Sequence, residues 1–161
     1  MTLVVIVSLF IAFFALAFVS RRRFGTLGLA LASGALLANS LTVWLAAQFA
    51  YFDIPTGPLT EKVAASVVLT LLPAFVLLIS GPSYTNKQHA VFGAVAFSVM
   101  ATMLVLPPLT TVLPNDELAR TVLPLIAAYS APALAISIGV AVTDAWLTHN
   151  LPSTRKKKHT D

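Results

Sequence analysis

Few residues in this chain could do chemistry, and their spacing argues against most kinds of it. The 161 residues hold six carboxylates, three histidines and no cysteine. His89, His149 and His159 lack the spacing of a metal-ligand set. Without cysteine there is no thiolate ligand, no disulfide and no cysteine nucleophile. Asp53, Glu61, Asp116 and Glu117 lie in gaps between apolar runs and belong to no defined motif. Nucleophile, phosphate-loop and metalloprotease motifs do not occur. The sequence predicts no enzyme, and no catalytic, cofactor-binding or metal-binding residue is assigned.

Asp144 is the carboxylate that needs separate treatment. It stands three residues before the expected end of the last apolar run, at Leu147, with Trp146 and His149 nearby. A charge held at a bilayer centre costs several kcal/mol and would call for a function. Near the membrane edge the same carboxylate reaches headgroups or a basic residue, so Asp144 is expected to be an interfacial anchor. A proton relay would want a carboxylate nearer the midplane, preferably with a second titratable group.

The uncharged polar residues and prolines inside the runs come next. Asn39, Ser40, Ser98 and Thr102 read as interhelical hydrogen-bonding groups, and Asn39 also stands as a candidate ligand group. Pro73, Pro107, Pro108, Pro124 and Pro132 each remove a backbone donor and favour a kink. Transporters use broken helices at midplane sites, whereas ordinary membrane helices re-satisfy such kinks from neighbours. Pro73 and Pro132 lie nearest mid-membrane depth and are the candidate kink sites.

These residues must be positioned by apolar elements. An apolar fraction of 58% with 10% charged residues lies far from the roughly 45–50% and about 25% of soluble domains. A bilayer resolves the excess, because lipid-facing side chains can be as apolar as a core. A hydrocarbon core needs about 20 helical residues, and five runs qualify: 3–20, 24–49, 63–80, 90–113 and 118–147. The expected fold is an all-α, polytopic five-helix membrane bundle over residues 1–150, with a basic tail at 151–161. The second run closes on an aromatic cluster, Trp44, Phe49, Tyr51 and Phe52, suited to the headgroup level. The fourth is expected to be broken at Pro107-Pro108.

Charge sets the expected orientation. Arg21, Arg22, Arg23, Lys87 and Arg155 to Lys158 fall in alternate gaps, while only Lys62 and Arg120 accompany the acidic ones. Cytoplasmic loops carry the Lys and Arg excess, so the N-terminus is expected outside and the tail in the cytoplasm. The +4 net charge is thus a topology signal and implies no nucleic-acid partner. Ala15-Leu16-Ala17 resembles a signal cleavage site, but no basic stretch precedes it and three arginines follow. The first run is therefore read as a retained helix.

Rows of small residues four apart let membrane helices approach closely. Ala30, Gly34 and Ala38 form one in the second run, and Ala127, Ala131, Ala135 and Gly139 form another in the fifth. Packing inside the bundle is the expected use, and a face for a second copy is the alternative.

The order of elements resembles the colicin V production protein family of small bacterial inner-membrane proteins. An uncharged first span leads into Arg21-Arg22-Arg23-Phe24-Gly25 and a small-residue-rich span. The third span rises from Glu61-Lys62, and a short loop leads to Lys87-Gln88-His89-Ala90-Val91-Phe92-Gly93. The segment Leu118 to Pro124 is similar to the late Leu-Pro stretch of that family. This chain departs from it in a fifth span and in Phe97-Ser98, where an Arg-Gly pair is usual. The resemblance implies a bacterial inner-membrane address and an envelope or peptide-export process, without a catalytic residue. The expected function is a non-enzymatic accessory or scaffold subunit of an envelope or transport assembly. Its partners would be the lipid bilayer and other membrane subunits or a copy of itself. The alternative is a small transporter or channel, for which a solvated cavity lined by Asn39, Thr70 or Ser130 would speak.

Overall fold

A computed structural model describes residues 2–51, 57–81, 83–84, 87–112 and 117–150. Five helices follow one another: α1 (Thr2–Ser20), α2 (Phe24–Tyr51), α3 (Pro58–Ser80), α4 (Lys87–Thr110) and α5 (Glu117–Asn150). All five are long and apolar enough to cross a membrane. Asp53, Asp116 and the basic tail lie outside the described residues, as do the side chains of Glu117 and His149.

The helices are apolar on nearly every side, so composition decides that they form and packing decides where they sit. α4 is the central element: 56% of its span is buried, against 6% for α5. Its buried face, Ala94, Phe97, Met100, Ala101 and Val105, meets Phe13 and Ala17 of α1 and Phe24, Leu27 and Leu31 of α2. Phe13 and Phe97 meet edge to face at 6.3 Å, the geometry that ring quadrupoles favour. α2 also pairs along α3 and contacts α5.

Helix ends differ from the sequence expectation in informative ways. α3 begins at Pro58 and not at Val63, because proline suits the first helical position and Glu61 complements the dipole of the first turn. α3 and α5 continue through Pro73, Pro124 and Pro132 as single helices, and α4 runs past Pro107-Pro108 to Thr110. The break expected at Pro107-Pro108 is thus absent. A lone proline frees one i−4 carbonyl, and the turns on either side hold the helix together.

The row on α5 needs a second correction. Ala127, Ala131, Ala135 and Gly139 lie on the exposed side of the helix, and a Cβ placed on Gly139 would meet nothing within 4 Å. They do not pack inside the bundle. The packed face carries Leu134, Ser137, Ala141 and Ala145 instead. Gly139 and Ala141 are two residues apart, about 200° around a helix of 3.6 residues per turn. Regular spacing finds a row, and only the neighbour decides which row is covered.

Gly34 sits in the tightest approach of α2 to α3. A Cβ there would collide with the carbonyl of Thr70 and lie 3.0 Å from the Leu69 oxygen. Leu69 is four residues before Pro73, so its carbonyl is the one that Pro73 leaves without a helical donor. Glycine lets the α2 backbone close over that gap.

Candidate functional site

The best-defined polar arrangement lies at the end of the bundle that carries Arg21 to Arg23. α2 starts at Phe24 with its first amides pointing out of the helix and lacking intrahelical acceptors. Arg23, the preceding residue, has no side-chain oxygen to cap them. The caps come from distant segments. The Phe24 N–H donates to the Tyr84 hydroxyl oxygen at 3.0 Å, and the Gly25 N–H donates to Asp144 Oδ2 at 2.7 Å. The Tyr84 hydroxyl in turn donates to Asp144 Oδ2 at 3.1 Å. A carboxylate at a helix N-terminus also gains from the positive end of the macrodipole.

Close approach makes this cap sterically feasible. A Cβ on Gly25 would stand 2.6 Å from the Ala145 nitrogen and 2.8 Å from the Ala141 oxygen, so α5 lies directly on the α2 backbone. Gly93 of α4 does the same for the tyrosine, since a Cβ there would be 2.8 Å from the Tyr84 ring. Arg23 lies over that ring at 5.8 Å and His89 stacks on it at 6.4 Å. Burial pushes the Tyr84 phenol above its ordinary range. The Phe24 N–H and the Arg23 charge pull it back, and Asp144 raises it further.

The mirror arrangement caps α3. The Arg22 guanidinium donates to the carbonyls of Leu78 at 3.1 Å, Ile79 at 2.5 Å and also Gly81. These are C-terminal carbonyls without intrahelical donors, and a cation suits that end of the dipole. Arg21 connects the two caps. It turns the chain with φ 49°, and its carbonyl accepts the Tyr84 N–H at 2.8 Å while Arg22 bridges to Ser83.

A second polar place lies between α2 and α3 deeper in the span. Asn39, Thr42, Ser66 and Thr70, with Leu104 of α4, line a cleft of about 330 Å³. Its hydroxyls are turned partly to their own helices: Thr42 donates to the Ala38 carbonyl at 2.5 Å and Thr70 to that of Ser66 at 2.8 Å. Asn39 is exposed at the cleft mouth. Ser130 lies elsewhere, in a mostly apolar hollow between α4 and α5.

The structure therefore separates the residues that the sequence singled out. Asp144 joins the Gly25 and Tyr84 cap. Asn39 joins the cleft with Thr70. Pro73 lines a groove between α2 and α3 on the side of Thr26 and Ser33, and Pro132 is exposed on α5. Ser98 bonds back to the Ala94 and Val95 carbonyls of its own helix, and Thr102 Oγ1 is buried without a partner. Neither hydroxyl reaches another helix, contrary to expectation: the carbonyls of the preceding turn satisfy Ser98 locally. Tyr84 was missed by sequence reasoning, although an aromatic with a polar tip beside a span end is a usable signal. Among the described residues no three His, Asp or Glu side chains come together. Comparison with family models, with curated proteins and with solved structures finds no match to this chain.

Proposed function

We propose that this protein is a non-enzymatic integral membrane subunit that scaffolds or assists a bacterial envelope or transport assembly. The observation that carries the reading is the state of α5. This 34-residue helix packs closely on α2 at its Ala141 end and leaves Ala131, Ala135 and Gly139 uncovered. Small residues on a bare membrane helix suit close approach by another helix, from another subunit or a second copy. Asp144 supports the same reading, since its Oδ2 is held by two donors at a helix end. In this proposal the Arg21 end and the tail face the cytoplasm and the N-terminus faces out, in a multi-pass inner-membrane protein. The resemblance to the colicin V production family belongs to the same proposal.

Photocrosslinking from Ala131 and Ala135 in living cells tests the role. Discrete protein adducts are expected from these positions and not from Val4, which is 70% exposed on α1. Only lipid-sized adducts from all three would remove the argument. Reporter fusions near Thr56 and at the tail test the orientation, and a cytoplasmic signal near Thr56 would overturn it.

The cleft of Asn39, Thr42, Ser66 and Thr70 favours a second reading, a small transporter or channel. Proteoliposomes loaded with a pH dye or an ion dye separate the two. A flux abolished by Asn39→Leu would replace the scaffold with the transporter.

A further inference from the structure

The geometry points to a binding site for an anionic phospholipid at the arginine end of the bundle, between α1 and α3. A groove of about 390 Å³ runs there, lined by Leu16, Val19, Ser20, Phe75 and Ile79 among others. Its walls are open and apolar, with Val19 80% and Ile79 69% exposed, as an acyl chain requires. Two arginines stand at its end. Arg22 donates to the carbonyls of Leu78 and Ile79, two residues that line the groove. With its bond to the Gly81 carbonyl, all three guanidinium nitrogens donate, which fixes the group in place and leaves two of its five N–H groups unengaged by those bonds. Arg21 directly follows Ser20, and its side chain is exposed.

The backbone supplies an independent observation. Arg21 adopts φ 49° and is the one non-glycine residue with positive φ among those described. Glycine would hold that turn without strain, and asparagine is tolerated there. A long cationic side chain at a left-handed position, pinned by the Tyr84 N–H on its carbonyl, is explained if its guanidinium is needed at this place. Arginine holds phosphate oxygens with paired donors, and basic pockets between membrane helices take anionic headgroups. The occupant that matches both parts has a phosphate beside Arg21 and Arg22 and a chain along Phe75 and Ile79.

This inference rests on the membrane-spanning part of the reading above, and not on the assembly role or the orientation. Nanodiscs expose both faces, and recovery of helical, monodisperse protein in them checks that part separately. The test is native mass spectrometry of the full chain from nanodiscs holding equal phosphatidylglycerol and phosphatidylcholine. Preferential retention of phosphatidylglycerol is expected. Arg21→Gly should keep the fold, because glycine accepts the turn, and should lower that preference about fivefold, as expected for one basic residue at an anionic surface. Arg21→Asn provides a second folded variant with the same expected loss. Leu16→Trp fills the groove and should lower retention with both arginines intact. Inorganic phosphate and the chain-free headgroup, glycerophosphoglycerol, should compete weakly. Unchanged preference in a folded Arg21→Gly or Arg21→Asn protein would overturn the site. Competition by the soluble phosphates as strong as by the lipid would overturn the acyl-chain half of it.

Discussion

Replacing Asp144 gives the sharpest test of how the bundle is closed. Asp144→Ala removes the acceptor for the Gly25 N–H and the Tyr84 O–H. Hydrogen bonds to a charged group contribute about 1.5–3 kcal/mol each, and a buried donor left alone costs about 1–3 kcal/mol. The two bonds share one oxygen, and Tyr84 is only half-buried and can turn toward water. Their effects therefore do not add, and a loss of about 3 kcal/mol is expected. Asp144→Asn keeps an acceptor oxygen at the same place and loses the charge that faces the α2 dipole, so about 1 kcal/mol is expected. Tyr84→Phe removes the bridge between the Phe24 amide and Asp144, for about 1–2 kcal/mol. Combined with Asp144→Asn it should cost less than the sum, since the residues share a bond. Unfolding by SDS titration of the purified protein in mixed micelles measures all four. Equal stability of Asp144→Ala and the parent chain would refute the cap. A folded Asp144→Asn protein that had lost a pH-dependent activity would instead make Asp144 a proton carrier and replace the scaffold with the transporter.

The remaining expectations are simpler. Gly34→Ala should destabilise by about 1–3 kcal/mol, as overpacking does, because its Cβ would meet the Thr70 and Leu69 carbonyls; SDS titration reads the loss. Gly139→Leu should be no less stable than Val140→Leu in detergent, since both positions are exposed, and a selective loss for Gly139→Leu would place a neighbour on that face. The Tyr84 phenol has its titration raised by burial, so it favours the folded state while neutral. That contribution is full below the ordinary tyrosine value of about 10 and falls away as pH rises through the raised one. Tyr84→Phe should remove this part of the alkaline loss, which thermal melts across that range would record.

Much of the fold was legible in the sequence because lipid imposes a simple rule on composition. A spanning segment must be long, apolar and internally hydrogen-bonded, so the runs ending at Ser20 and Ser80 were visible as helices before any packing was known. Pro58 and Glu61 carried a further local signal that extends α3, through chemistry confined to one helical turn. Asp144 could be placed near a helix end by counting residues.

What it touches could not be read. The Gly25 amide lies 119 residues away from Asp144, and no periodicity links α2, Tyr84 and α5. The α5 row shows the same limit from the other side. Every face of that helix is apolar enough to be buried, so spacing alone favoured Ala127 to Gly139, while the bundle covers Ala141 and Ala145. In a soluble protein, water would mark the exposed face with charge. In an apolar helix nothing in the residue types marks it, and the choice passes to which small residues meet a glycine on the neighbouring helix. Sequence thus determined that five apolar helices form and where their charges lie. Tertiary structure decided which helix is central, which carboxylate caps which amide, and which face is left bare.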